Sequence, residues 1–238
     1  MTLSQALIPG LLLLPLSLSA QPTEVHSPWA GKATLGYLAT SGNTVNSTLN
    51  TGVELSYSTA NWVHQAKAFA INASESNVTT AEAYELGWKS ERKLSEQDFL
   101  FARLQWQKDG FGAYATQFSQ SVGYGRRLID SDKHKLNAEL GVGARQSELQ
   151  TGVKESEAIL RGGVYYKWLF SQTAEFRQEF TVEAGGENTY IEAKTSVSAK
   201  LFGDLALVAS YTIKHNTDVP PLTQKTDTYT ALSLEYAF

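Results

Sequence analysis

The chain has 238 residues, 20 Lys and Arg against 24 Asp and Glu, a formal net charge of -4 and no cysteine. That length suits one all-β domain, and the missing cysteines exclude thiolate metal sites and cysteine nucleophiles. The charge is mild and mixed, so there is no basic stripe for nucleic acid and no acidic run resembling a tail.

Residues 1–20 read as an export signal. Leu11 to Leu14, Leu16 and Leu18 form a short apolar core interrupted by Pro15, and Ser17, Ser19 and Ala20 offer small residues for cleavage after Ala20. No Lys or Arg precedes that core, which such a signal ordinarily has. Residues 21–28 are expected to form a short periplasmic segment. Beyond them no apolar run approaches the roughly 20 residues that a membrane-spanning helix needs.

From Trp29 onward the dominant period is two. Strands are expected near Trp29 to Ala39 and Val45 to Tyr57, then Trp62 to Asn72, Thr80 to Ser90 and Asp98 to Lys108. They continue near Tyr114 to Leu128, Leu136 to Arg145, Ser156 to Phe170, Ala174 to Ala184, Thr189 to Phe202, Leu205 to Lys214 and Thr226 to Phe238. In the seventh, Leu136, Ala138, Leu140, Val142 and Ala144 alternate with Asn137, Glu139, Gly141, Gly143 and Arg145. The third is ambiguous, because Phe69 and Ile71 share a side with Gln65 and Lys67. Strict alternation marks half-buried strands, and about 12 of them in ten-residue units is the signature of a transmembrane antiparallel up-and-down β-barrel.

A soluble periplasmic ligand-binding barrel has the same period with the apolar face inward. Three features favour apolar-out. Trp29, Tyr57, Trp62, Trp88, Phe99, Trp168, Phe170 and Phe202 all fall at one rim, as an interfacial girdle requires. Connections at that rim are short, while most at the other are expected to be longer: Ala73 to Thr79, Ser147 to Glu155 and His215 to Lys225. An even strand number also returns both ends to the short-turn rim, the periplasmic one. A barrel over residues 29–238 in the outer membrane is therefore expected, touching outer-membrane lipids and monomeric.

The segment Gly36 to Tyr57, with Ser41-Gly42-Asn43-Thr44, and the end from Tyr211 through Lys214-His215-Asn216-Thr217-Asp218 to Phe238 carry a family resemblance. They resemble the bacterial outer-membrane proteins described as salt-induced, whose core is a domain of unknown function. The resemblance covers nearly the whole mature chain and implies a monomeric outer-membrane barrel linked by name to salt stress. It supplies no catalytic residue and no cofactor. The aromatic strand end at Phe238 likewise looks like the signature read by the outer-membrane assembly machinery. Ser41-Gly42-Asn43-Thr44 has its own local reason, since Gly and Asn tolerate the positive φ of a tight hairpin.

Apolar-out orientation turns the charges inward. The candidates for lining the lumen are Arg103, Glu139, Arg145, Arg161, Glu175, Arg177 and Glu179, accompanied by residues such as Lys32, Glu54, Lys67, Glu85, Lys194 and Lys214. Both signs are interspersed, so they either pair and brace the wall or line a narrow polar pore. Twelve strands lie between the about 8 that side chains fill and the 16 or more that leave an aqueous channel. An outer-membrane lipid hydrolase or acyltransferase is the alternative from another class, and it needs a nucleophile, a base and an orienting group. Of the four histidines, His26 falls in the N-terminal segment, His134 in a short turn and His64 beside Trp62. His215, followed by Asn216 and Asp218, is the best-placed base, but no serine in an activating motif accompanies it. No enzyme activity is therefore expected.

Overall fold

The computed structural model describes residues 27–40, 46–76 and 78–238. The expected signal, His26 and the Ser41-Gly42-Asn43-Thr44 hairpin lie outside the described residues. The remainder forms twelve strands: β1 (Trp29–Thr40), β2 (Asn46–Ser58), β3 (Trp62–Glu75), β4 (Val78–Lys93), β5 (Asp98–Asp109) and β6 (Tyr114–Asp130), followed by β7 (His134–Leu149), β8 (Lys154–Leu169), β9 (Ala174–Ala184), β10 (Thr189–Phe202), β11 (Leu205–Asn216) and β12 (Thr226–Ala237). Each pairs antiparallel with its sequence neighbour, and β12 returns to β1 to close the barrel.

Alternation fixes which way each side chain points. Leu140 and Val142 on β7, Leu160 and Val164 on β8, and Leu232 and Leu234 on β12 are all exposed outside the wall. Glu139, Arg145, Arg161 and Glu183, from the intervening positions, are buried within it. An apolar exterior around an ionised interior is the arrangement that hydrocarbon requires of a barrel, whose inter-strand ladders satisfy backbone groups that lipid cannot. At the rim where β1 starts, the Trp29 and Tyr57 rings meet tilted at 51°, and His64 lies between Trp62 and Trp88. Trp168 meets Phe170 at the same rim.

Two expectations are corrected. Phe99 is not part of that girdle. It is on the inner face, 1% exposed, because Leu100 and Leu104 occupy the lipid-facing positions of β5. The connections at the far rim are also mostly short, since the strands run further than their apolar parts. They occupy residues 76–77, 110–113, 150–153 and 185–188, and among the described residues only 217–225 is long. The extra residues, such as Ser147 and Glu148 paired with Glu155 and Lys154, are polar and extend the ladder beyond the hydrocarbon.

The ambiguous β3 puts Lys67, Phe69 and Ile71 inside, opposite Glu54, Gly52 and Asn50. Closure is uneven. Between β1 and β2 the register runs from Trp29–Tyr57 to Thr40–Asn46, whereas β1 and β12 are in register only from Lys32–Ala237 to Leu35–Leu234. Backbone hydrogen bonds between Gly31 and Phe238 extend that seam by one pair.

Candidate functional site: the barrel lumen

All seven candidate charges face inward, and they separate into clusters. Arg161 Nη1 donates to Glu139 Oε2 at 2.8 Å, and its Nη2 donates to the Tyr165 hydroxyl at 2.5 Å. Lys89 also donates to Glu139, and Lys89 Nζ is 2.9 Å from Glu91. Arg103 reaches the same Tyr165 hydroxyl at 3.4 Å and bonds Gln105. Near the periplasmic rim, Glu175 pairs with Arg177 at 2.5 Å and with Lys167 at 2.8 Å. Glu179 lies in register with Lys194 on β10.

At the outer rim, Arg145 donates to Glu157 at 2.6 Å and to the Asn188 carbonyl at 2.5 Å. Its Nη1 is 3.7 Å from Glu183 Oε2. Asn188 then ties the loops together. Its amide donates to Asn216 Oδ1 at 2.8 Å, and its Oδ1 accepts from the Thr217 hydroxyl at 3.3 Å and the Asp218 N–H at 3.1 Å. The Tyr114 hydroxyl donates to the Asp218 carbonyl at 3.3 Å, so the start of the long loop is fastened inward.

The lumen is filled on one side. From β5, Phe99 and Phe101 lean over the glycines of the next two strands: a Cβ on Gly125 would collide with the Phe99 ring, and one on Gly123 or Gly141 with the Phe101 ring. Only glycine leaves room for these rings to lie against the sheet. With the Arg161–Glu139–Lys89 cluster stacked beside them, Arg161 5.3 Å and Lys89 5.7 Å from the Phe101 ring centre, the wall from β4 to β8 is lined by packed side chains. The opposite inner face, from β10 round to β2, carries small residues: Ser196 and Ser198, Val208 and Ser210, Ala231 and Ser233, Thr34 and Gly36, and Gly52.

A strut crosses the bore. β5 and β11 stand opposite one another in the ring of strands. Lys214 Nζ on β11 donates to Gln107 on β5 at 3.5 Å, and the Tyr229 hydroxyl on β12 donates to Asp109 Oδ2 at 2.8 Å. Sequence reasoning missed Phe99, Phe101, Gln107, Asp109, Asn188 and Tyr229 as lumen residues. The glycine pairs facing aromatic residues in β5, β6 and β7 were the only local signal for the first two.

The three described histidines do not assemble a catalytic group. His215 faces outward and shares a hydrogen bond with Thr226 Oγ1 at 2.8 Å. His134 bonds the Tyr166 hydroxyl at 2.8 Å. His64 bonds Ser90 Oγ at 2.9 Å within the aromatic girdle, and no carboxylate bonds either ring nitrogen of these three among the described residues. No group of three or more His, Cys, Asp or Glu side chains converges to hold a metal among the described residues.

The chain is similar to the uncharacterized protein YdiY of Escherichia coli (strain K12), with 27% identity over 222 residues, covering 91% of this chain and 86% of that protein. Among solved structures it is similar to the NanC porin, with a TM-score of 0.51 at 10% identity over 87% of this chain and 97% of that one. The KdgM porin gives a TM-score of 0.47 at 10% identity, covering 88% and 99% respectively. The apolar exterior, the ionised interior and this fold place the protein in the outer membrane. Residues 33–238 match the family described as "Protein of unknown function, DUF481", and the chain belongs to that family.

Proposed function

We propose that the protein is a narrow, off-centre pore for small ions and polar solutes, its passage running along the small-residue wall from β10 to β2. The observation that carries this reading is the contrast between the two sides of the lumen. Arg161 and Glu139 have side chains 0% and 1% exposed and are locked in an ion pair, whereas Lys32 on β1 and Glu235 on β12 are 26% and 17% exposed, and inward-facing Phe69 on neighbouring β3 is 38% exposed. Charges that are desolvated and paired brace a wall; they do not line a water path. Arg145 and Arg161 therefore hold the filled side together, and selectivity falls to Lys32, Glu54, Lys67 and Lys194. Lys32 pairs with Glu235 at 2.7 Å and Lys67 with Glu85 at 2.5 Å, so the passage discriminates weakly between cations and anions.

The reading assigns no covalent reaction. It takes the protein as a monomer in contact with outer-membrane lipids, inserted by outer-membrane assembly machinery that recognises the aromatic strand β12. Purified protein reconstituted in a planar bilayer tests the pore. Small current steps with a reversal potential near zero in a salt gradient are expected. Absence of steps in molar salt overturns it and leaves an envelope-bracing role.

A further inference from the structure

We propose that the Asp109–Tyr229 strut is the constriction of this passage and the element that closes its outer mouth; the proposal rests on the pore reading above. Asp109 is oriented before it meets Tyr229. Its Oδ1 accepts the backbone N–H groups of Phe111 at 3.0 Å and Gly112 at 2.9 Å, which fixes the carboxylate on the β5–β6 turn. Gln150 from the neighbouring loop donates to the Asp109 carbonyl at 2.8 Å and the Gly112 carbonyl at 3.2 Å, holding that turn in place. From the far wall the Tyr229 hydroxyl completes the span at 2.8 Å, and Lys214 Nζ lies 5.6 Å from the centre of its ring. The tyrosine is therefore held at its tip by a charge-assisted hydrogen bond and on its ring by a cation, both stronger than their neutral counterparts.

The strut divides the mouth unequally. On one side is a cavity of about 30 Å³ bordered by Tyr114, Gln117, Tyr190 and Lys214, with room for a water or two. On the other is a cavity of about 290 Å³ bordered by Ile71, Ala73, Ala81, Phe111 and Tyr229. Asp109 and Asp227 border both. The large cavity ends against Ile71 on β3, which is 6% exposed at the level of the strut, whereas Phe69, next on the same face below it, is 38% exposed. The bore is thus tight beside Tyr229 and wide beneath it. Asp109 belongs to a braced turn, so the moving part is Tyr229. Rotation of its side chain breaks the hydrogen bond to Asp109, gives up the contact with Lys214, and joins the large cavity to the lumen below.

The absence of cysteine makes the test direct. A single Phe69→Cys reporter is treated from the outside of intact cells with a membrane-impermeant maleimide, with Tyr229 unchanged and with Tyr229→Ala. Unitary conductance is measured for the same Tyr229 pair and for Tyr229→Phe, which keeps the ring and loses the hydroxyl. Heat-dependent gel mobility confirms that each variant is folded. Several-fold faster labelling and larger current steps in Tyr229→Ala are expected, with Tyr229→Phe between it and the unaltered protein. Unchanged labelling together with unchanged current steps overturns the strut as constriction while leaving the pore standing. Faster labelling with no current in any variant supports the strut as a closure and overturns the pore.

Discussion

Glu139 is shared by two cations on opposite sides of it: Arg161 at 2.8 Å from β8 and Lys89 from β4. Lys89 has a second partner in Glu91 at 2.9 Å, and Arg161 a neutral one in Tyr165. The two ends of the pair are therefore unequal. Glu139→Gln strands a buried guanidinium and weakens the hold on Lys89, at a cost of about 3–5 kcal/mol. Arg161→Met leaves Glu139 with Lys89 and costs less. Urea unfolding of the reconstituted barrel, followed by tryptophan fluorescence, gives the order; equal losses would contradict the shared-carboxylate arrangement.

Glycines of the inner face differ in what surrounds them. A Cβ at Gly123 would strike the Leu140 backbone carbonyl as well as the Phe101 ring, while one at Gly87 would meet the flexible Lys67 side chain at 2.8 Å. Backbone cannot yield as a lysine stem can. Gly123→Ala is expected to destabilise the barrel by about 1–3 kcal/mol, the usual cost of overpacking. Gly87→Ala should unfold close to the unaltered midpoint under the same urea titration.

Asn188 is 2% exposed and holds the start of loop 217–225 through Thr217 and Asp218. Asn188→Leu removes the acceptor for both and leaves their donors to water. The mutant should stay folded by heat-dependent gel mobility, yet be cut faster within 217–225 when protease is added outside intact cells. Identical cleavage rates would show that the remaining tether from Tyr114 suffices.

The orientation of the wall predicts where a charge is tolerated. Val142 is 61% exposed in the middle of β7, whereas Leu128 is 55% exposed near the periplasmic end of β6. Val142→Arg is expected to cost about 2–4 kcal/mol and Leu128→Arg about 0–1 kcal/mol, because the penalty falls toward the interface. Folding into vesicles across a urea series compares them, and an equal tolerance at both positions would mean the apolar face does not meet hydrocarbon.

Strand number, order and facing were legible in the sequence because a period of two states which side of a wall each residue occupies. The same period sets Arg103, Glu139, Arg145, Arg161, Glu175, Arg177 and Glu179 on the face of the wall opposite Leu140 and Val142. Facing says nothing about partners across the bore. Tyr229 and Asp109 are 120 positions apart and meet through the curvature of the whole sheet. The alternation in β3 looked faulty only because Ile71 and Phe69 are apolar residues of the interior. Loop lengths were misjudged for a related reason: polar residues such as Ser147 continue the ladder, and hydropathy alone cannot distinguish a wet strand from a loop.

The short ladder between β1 and β12 makes the cylinder a rolled ribbon fastened mainly along its lower edge. Stress from heat, denaturant or a bending bilayer should concentrate there, so the first tear runs from the outer rim down to Leu35 and Leu234. Below that point, Gly31 and Phe238 act as the final rivet.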